Sequence, residues 1–332
     1  MNKKVRKIVM LLLAAVLVVS LSVSLYNMID HRRGEQAYSD AEDLVVLPDI
    51  SLLPPPVVEA TPKAEEPAGD EGAQQEQEPV KEVYVDPYAD ALRNMDFTAL
   101  QEVNSDVLGW ILIPGTRVSY PLVQGEDNSY YLNHTWKKWR SAVGSIFLEH
   151  RSSSDFSDFN TIIYGHRMNN GSMFASLSKY KNASYWKANP CVYITDASGT
   201  KKYDIFAAYE IGTSEDTYRL VFEDDARRQE FIDFCLEKSA IETGVVPTIY
   251  DKIVTLSTCT GRGHATRWVV QARLQGEAPA DDALMEGGAA EGEELADGAV
   301  VSGEQEGVSG DDAATAMPEG TGAAEDSGDT IE

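Results

Sequence analysis

The chain has 332 residues, which indicates one or two domains, and its formal net charge of -26 argues against nucleic acid as a partner, since a phosphate backbone would repel it. From residue 277 to the end there are 17 Asp and Glu and no Lys or Arg, so the tail carries 17 of the 26 excess negative charges. The 3 cysteines include no CxxC pair, which gives little support to a disulfide framework or a zinc site.

The N-terminus predicts a membrane anchor. Four basic residues at positions 3–7 precede an uncharged apolar run that extends to residue 29. At ~1.5 Å rise per residue, this run is long enough for a helix to cross a bilayer core. A cleaved signal peptide is the alternative, because serines between positions 20 and 24 resemble a cleavage site, but the apolar run is longer than a usual signal core. The basic stub 1–7 is expected in the cytoplasm, with anchor 8–29 leading to an extracellular chain.

Two segments of biased composition flank one folded block. Residues 30–85 contain Pro54-Pro55-Pro56 and a stretch rich in Glu, Ala, Gln and Pro, which predicts a disordered linker. Residues 276–332 are rich in Gly, Ala and acids, which predicts a disordered tail of unassigned role. The folded block between them is expected over residues 86–275.

The block has the pattern of a small, mainly β domain. Helical spacing of apolar residues predicts one helix over 88–103 and an amphipathic helix over 223–239. Short apolar or alternating runs typical of strands occur at 109–113, 118–123, 145–148, 161–164, 191–195, 202–210, 252–257 and 267–274. Many short strands with few helices favour a β-barrel.

Cys259 is the strongest candidate nucleophile. It follows the strand-like run Ile253-Val254-Thr255-Leu256-Ser257-Thr258 and precedes a polar loop with two glycines. A thiol there is held by the strand and reachable from the loop, as nucleophilic catalysis needs. A buried cysteine acting as a small hydrophobe is the ordinary alternative, and it suits Cys191, within an apolar strand, and Cys235, on the apolar face of the later helix.

His166 and Arg267 are the candidate partners of this thiol. His166 follows an apolar strand, and an imidazole and a thiol titrate close enough to neutrality to share a proton. His264 is the rival base, five residues from Cys259. Arg267 opens the last strand, where a hairpin would place it beside Cys259 to stabilise an oxyanion. On spacing alone, Arg262 could have the same role. An ordinary arginine at a strand end is the simpler interpretation of Arg267.

Signals for other chemistry are absent from the sequence. It contains no metal-ligand cluster, nucleophile elbow, phosphate-binding loop or dinucleotide fingerprint, so no metal and no cofactor are expected.

A family resemblance connects these residues. The segments Thr255-Leu256-Ser257-Thr258-Cys259, Arg267-Trp268-Val269-Val270 and Tyr164-Gly165-His166 resemble the sortase signature. Similarity to class B sortases is carried by Gly109-Trp110-Ile111, Tyr120-Pro121-Leu122-Val123-Gln124, Asp127-Asn128, Tyr130-Tyr131-Leu132-Asn133-His134, Gly144-Ser145-Ile146-Phe147 and Asn160-Thr161-Ile162-Ile163. The helix over 223–239 matches the extra helix of that class, whereas the acidic tail and the short loop after Cys259 depart from the usual pattern.

The resemblance implies a fold and an activity. The fold is an eight-stranded sortase barrel with N-terminal helices, anchored outside a Gram-positive membrane. Cys259 would attack the carbonyl of a Thr in the sorting signal of a secreted protein, and an amine of the cell wall peptidoglycan would resolve the thioester. His166 matches the acid/base of the family and Arg267 its oxyanion-binding arginine. Positions matching substrate contacts of class B members are Asn128, Leu132, Tyr164 and Ser257.

Three other functions remain open at the level of the sequence. A pilin-polymerising sortase or a hydrolytic cysteine peptidase would differ only in the acceptor. A non-catalytic surface protein would use the barrel as a binding module and the acidic tail as its working part. Deleting the tail separates the last alternative, because an enzyme would keep its peptide cleavage.

Overall fold

The computed structural model describes residues 2–45, 47–54, 57–60, 82–93, 95–261 and 265–276. The helices are α1 (Lys3–Val45), α2 (Pro87–Arg93), α3 (Thr98–Val103), α4 (Ala183–Ala188) and α5 (Asp225–Lys238). The strands are β1 (Val57–Ala60), β2 (Glu82–Val85), β3 (Val107–Leu112), β4 (Ser119–Val123), β5 (Ile146–Leu148), β6 (Asn160–Tyr164), β7 (Cys191–Asp196), β8 (Gly199–Gly212), β9 (Ile253–Cys259) and β10 (Thr266–Leu274). The predicted acidic tail from residue 277 and most of the predicted linker lie outside the described residues.

Helix α1 has two parts with different surroundings. Its N-terminal part is apolar and exposed, and it is long enough to be a candidate membrane span. Its C-terminal part buries Gly34, Ala37, Tyr38, Ala41 and Val45 in one stripe against the barrel. The helix therefore continues through residues 30–45, where the sequence predicted disordered linker. The spacing of the buried residues, three and four apart, gives these turns an apolar face that packing stabilises.

The predicted helix over 88–103 is two helices in the structure. Helix α2 ends at Arg93, and the Asp96 carboxylate accepts a hydrogen bond from the backbone N of Thr98 at 2.8 Å, at the start of α3. Short acidic side chains compete for backbone N–H groups in this way and favour helix starts over helix interiors. The periodic apolar residues continue across the break, which is why spacing alone predicts a single helix.

Eight strands form a closed barrel in the order β10, β8, β7, β3, β4, β5, β6, β9. Most neighbours are antiparallel, but β4 pairs with β5 and β6 pairs with β9 in parallel. Because the barrel is closed, each of its eight strands has a neighbouring strand on both sides. The predicted eight-stranded barrel with N-terminal helices and an extra helix before the late strands is confirmed.

The core has a main part inside the barrel and a smaller part beneath α5. Fully buried aromatic and aliphatic residues such as Trp110, Ile163 and Val270 fill the main part. Phe231, Ile232 and Cys235 of α5 pack on the outer face of β8 and β10. The Asp224 side chain caps α5 by accepting from the backbone N of Arg227. These contacts support β9 and β10, the strands that carry Cys259 and Arg267.

Candidate active site

The ends of β6 and β9 lie side by side. The two strands are parallel, with Tyr164 opposite Ser257, and the backbone N of Gly165 donates to the Ser257 carbonyl at 3.1 Å. His166 and Cys259 each lie two residues beyond this pair. Cys259 is the last residue of β9 and His166 lies two residues past the end of β6, so both lie at the same edge of the barrel.

Arg267 lies on the other side of Cys259. In the antiparallel pairing of β9 and β10, the Cα of Arg267 is the direct partner of the Cα of Cys259. Side chains of directly opposite residues point to the same face of a sheet. The guanidinium is half-buried, and its Nη1 donates to the carbonyl of Thr266 at 3.1 Å. Arg267 therefore lies beside Cys259 in one neighbouring strand, and His166 follows the end of the strand on the other side.

A backbone carbonyl orients the His166 ring. Its Nε2 lies 2.6 Å from the Leu132 carbonyl oxygen. A carbonyl only accepts, so Nε2 carries the proton and donates this bond. In the neutral ring Nδ1 then has a free lone pair, and it is the nitrogen that can accept a proton.

The three cysteines differ in their surroundings. Cys235 is fully buried, and burial raises the pKa of its thiol to about 12. Burial likewise raises the pKa of Cys191 to about 12, and its Sγ donates to Asp204 Oδ1 at 3.6 Å. A thiolate is the reactive form, so these two thiols are poor nucleophiles near neutral pH. Cys259 is half-exposed at the barrel edge.

Two predicted substrate residues, Asn128 and Tyr164, share one carboxylate. Glu149 Oε2 accepts hydrogen bonds from Asn128 Nδ2 at 2.6 Å and from the Tyr164 hydroxyl at 3.0 Å. The Asn128 Oδ1 accepts from the backbone N of His150 at 3.0 Å, which fixes which way the amide faces. Burial raises the pKa of Tyr164, with the Glu149 charge acting in the same direction, so Tyr164 remains a donor.

Glu149 is a buried charge at the end of β5, with 1% of its surface exposed. Burial alone would raise the pKa of Glu149, but hydrogen bonds from Arg151, Asn128 and Tyr164 outweigh burial and hold that pKa below the ordinary glutamate value. The Arg151 Nε lies 2.9 Å from Glu149 Oε1. The carboxylate thus binds two predicted substrate residues, Asn128 and Tyr164, from one buried position.

We expect Glu149→Gln to destabilise the fold by about 1–3 kcal/mol at neutral pH, because the amide faces donors that the carboxylate satisfied. The pKa of Glu149 is lower in the folded state than in the unfolded chain. The stability contributed by the charged carboxylate is therefore complete above the unfolded value of ~4.3 and is lost as pH falls through the folded pKa. Denaturant unfolding of the full chain in detergent at pH 7 and pH 3 measures the difference in unfolding free energy between the wild type and Glu149→Gln. Glu237→Gln, on the exposed side of α5, is the matched control and should leave the free energy of unfolding unchanged at both pH values. An equal difference in unfolding free energy at both pH values would contradict the assignment of a charged Glu149.

The remaining predicted substrate positions differ in exposure. Leu132 exposes 43% of its surface beside His166. Ser257 is buried, and its Oγ lies 3.0 Å from the Tyr218 hydroxyl. Leu132 therefore presents an apolar side chain at the surface, whereas the Ser257 hydroxyl is held by Tyr218.

Tyr218 is a site residue that the sequence did not predict. Burial raises its pKa, with the Ser257 hydrogen bond and the Arg267 charge acting to lower it and Cys259 acting to raise it. Its hydroxyl therefore lies within electrostatic reach of both site groups. It belongs to a single 3-10 turn between β8 and α5, which leaves no periodic signal in the sequence.

The rival candidates Arg262 and His264 lie outside the described residues, and so does Gly263. The loop that leads to them begins at Gly261, whose φ of +79° favours glycine. A Cβ there would lie 2.6 Å from Arg167 Nη1, so the backbone passes close to that guanidinium. Among the residues that the structure describes, no group of His, Cys, Asp and Glu is arranged to hold a metal ion.

Comparison with known proteins agrees with the fold and with the family resemblance. The sortase domain family matches residues 111–275. Sortase B of Listeria monocytogenes is 36% identical over 177 residues, which are 53% of this chain and 72% of the relative. The solved sortase B–substrate complex of Staphylococcus aureus is 34% identical, with a TM-score of 0.52 over 54% of this chain and 84% of that one. Sortase B from Bacillus anthracis in complex with AAEK1 is 27% identical, with a TM-score of 0.56 over 74% of this chain and 98% of that one.

The closed barrel with Cys259 at its edge, together with these matches, defines a cysteine transpeptidase. The chain belongs to the sortase family, and within it to the sortase B enzymes. The family resemblance and the enzyme class predicted from the sequence are confirmed.

Proposed function

We propose that Cys259 is the nucleophile, His166 the acid and base, and Arg267 the oxyanion-stabilising group of this transpeptidase. The single observation that carries the proposal is the register at the barrel edge: β6 and β9 end together, and Arg267 is the cross-strand partner of Cys259. Distant segments of the chain are thereby adjacent at one exposed edge. Burial raises the pKa of the Cys191 and Cys235 thiols to about 12, which argues against either as the nucleophile.

The reaction follows from the three groups. The Cys259 thiolate attacks the backbone carbonyl carbon of a Thr in the sorting signal, and the C–S bond forms while the carbonyl becomes an oxyanion. The Arg267 guanidinium neutralises that oxyanion. Protonated His166 gives its proton to the departing amide nitrogen as the C–N bond breaks, and a thioester remains.

The second half of the reaction reverses these roles. An amine attacks the thioester carbonyl, neutral His166 accepts a proton from it through Nδ1, and the Cys259 thiolate leaves. A thioester is more reactive toward an amine than toward water, so transfer exceeds hydrolysis when an amine is present. One solved sortase B is complexed with triglycine, which supports an amine acceptor for this enzyme.

The substrate groove proposed here runs along the Glu149 wall. Asn128 and Tyr164, both held by Glu149, would contact the peptide along with Leu132 and Ser257. Tyr218 joins this set because its hydroxyl meets Ser257 beside Cys259. The substrate class is a sorting signal of a secreted protein, and the acceptor is the peptidoglycan amine.

The proposed location follows from α1. Its apolar part anchors the chain, and the basic residues at positions 3–7 favour a cytoplasmic N-terminus by the positive-inside rule. The barrel then lies on the outer face of the membrane, where secreted proteins and the cell wall meet.

Product mass tests the transfer reaction. The purified chain is incubated with a library of Thr-containing sorting-signal peptides, with and without a glycine peptide. We expect the ligated product to dominate when the amine is present and slow hydrolysis when it is absent. Identical products in both conditions would indicate a hydrolytic peptidase. Preference for a lysine side chain over the glycine peptide would indicate a pilin-polymerising enzyme.

A further inference from the structure

The barrel contacts α1 as soon as the apolar segment ends. Asp30 follows the last apolar residue, Ile29, and its Oδ2 accepts from the backbone N of Ala142 at 2.9 Å. One turn later Gly34 is buried, and a Cβ at that position would lie 2.6 Å from the Val143 side chain. The candidate span and the barrel are therefore joined without an intervening linker.

Three further contacts fix this junction. Trp136 Nε1 donates to the Ala37 carbonyl at 2.6 Å, and Lys137 Nζ pairs with Asp40 Oδ2 at 2.6 Å. The buried Tyr38 hydroxyl donates to the Gly144 carbonyl. Contacts from Asp30 to Asp40 cover almost three turns of one continuous helix, so the barrel has a fixed height and orientation relative to the span.

An exposed basic and aromatic surface lies at this junction. We call it the arginine–tryptophan patch, and it consists of Arg32, Arg33, Trp139 and Arg140. Trp139 exposes 54% of its surface, and it lines a cavity of about 350 Å³ with Arg33 and Arg140. None of the three arginines forms an ion pair with another residue in the described part of the chain.

The neighbouring lysines are different. Lys137 pairs with Asp40, and Lys138 Nζ lies 3.0 Å from Asp106 Oδ2. Their charges are compensated within the protein, whereas the three arginines of the patch are exposed. A guanidinium is suited to phosphate because its planar fork forms two parallel hydrogen bonds.

The helix geometry sets the depth of the patch. The apolar segment from Ile8 to Ile29 has 22 residues and spans about 33 Å as a helix, close to the ~30 Å of a hydrocarbon core. Arg33 lies four residues further, about 6 Å along the axis. The headgroup layer of one leaflet is roughly 5–7 Å deep, so Arg33 and its neighbour Trp139 are at headgroup level. Tryptophan is enriched at that depth.

We propose that the arginine–tryptophan patch rests on the headgroup layer of an anionic phospholipid bilayer, with Trp139 in the interface and the arginines on lipid phosphates. This inference rests on the membrane anchoring given under the proposed function. The patch and the active site share the loop between β4 and β5, which also carries Leu132, whose carbonyl binds His166. The surface contact thus sets the height of the active site above the membrane.

Depth-dependent quenching of tryptophan fluorescence tests the contact. The full chain is placed in nanodiscs that contain anionic phosphatidylglycerol and a phospholipid with a spin label on its headgroup. We expect strong quenching in the wild type, loss of most of it in Trp139→Phe, and retention in Trp186→Phe. Trp186 is the matched control because its indole donates to the Ile205 carbonyl within the protein. Equal quenching in the wild type and Trp139→Phe would overturn the proposal.

A second arm tests the lipid charge. Quenching of Trp139 should be stronger in phosphatidylglycerol than in phosphatidylcholine nanodiscs, and Arg33→Gln with Arg140→Gln should remove that difference. Equal quenching in both lipids would overturn the anionic-lipid assignment. A patch that binds a cell wall polyanion instead would show no headgroup quenching.

Two measurements separate this proposal from the proposed function. Failure of the chain to incorporate into nanodiscs would overturn the span and the patch together. Incorporation without Trp139 quenching would overturn the patch alone. Peptide cleavage reports on Cys259 chemistry, and we expect it to be unchanged for soluble peptides in Trp139→Phe.

Discussion

Replacing Cys259 with serine is expected to abolish peptide cleavage, with a loss of ~10⁴–10⁶-fold in turnover. The hydroxyl keeps the size of the side chain, but its much higher pKa leaves almost no anionic nucleophile near neutral pH. The variant should also fail to form an adduct with a thiol-reactive peptide. Intact mass after incubation with that peptide, together with the initial rate of cleavage, measures both effects.

The other cysteines provide matched controls. Cys191→Ser changes a half-buried thiol that bonds Asp204, and Cys235→Ala changes a buried thiol beneath α5. Both variants should keep adduct formation and cleavage near the wild-type rate, because burial raises the pKa of each thiol to about 12. An adduct that persists in Cys259→Ser would refute the assignment.

Much of the barrel was predictable because its strands are short, apolar and bounded by turns. Each of the eight predicted strands corresponds to a barrel strand, with ends shifted by a few residues. The position of Cys259 at a strand end and of His166 just past one was visible for the same reason. The pairing of β6 with β9, which brings the two strand ends together, was not, because a pairing between segments about ninety residues apart leaves no local pattern.

The parts missed by sequence analysis had nonlocal or overlooked causes. Glu149 directly follows the apolar strand β5, and an acidic residue at that position usually marks the start of a solvated loop. Its hydrogen-bond partners Asn128 and Tyr164 are distant in sequence and meet it only in the folded chain. Tyr218 reaches Ser257 from a turn without periodicity. Helix α1 is different, because the spacing of Gly34, Ala37 and Ala41 was present in the sequence and predicts a packed helical face. The predicted linker began at residue 30 because the composition of the later, proline-containing stretch was extended to these residues.

The arginine assignment depends on a cross-strand pair. Arg262 and Arg267 were equally placed by spacing, but pairing of β10 with β9 puts the Arg267 backbone directly opposite Cys259. A strand position constrains a side chain more strongly than a loop position. The bond from Arg267 Nη1 to the Thr266 carbonyl further limits how the fork turns.

Replacing Arg267 with lysine is therefore expected to reduce turnover by about 10²-fold, the usual cost of losing one oxyanion donor. Lysine keeps the positive charge but presents a single ammonium, which cannot both hold the Thr266 carbonyl and reach the oxyanion. Steady-state kinetics should show the loss mainly in kcat, because the interaction forms in the transition state.

Arg273→Lys is the matched control for this experiment. Arg273 lies in the same strand and pairs with Asp251 at 3.6 Å, away from Cys259, so its replacement should leave kcat unchanged. Wild-type turnover in Arg267→Lys, accompanied by a loss in Arg262→Lys, would transfer the role to Arg262. That outcome would mean that the loop after Cys259 folds back over the thiol during catalysis, and that the cross-strand partner of the nucleophile serves the strand pairing alone.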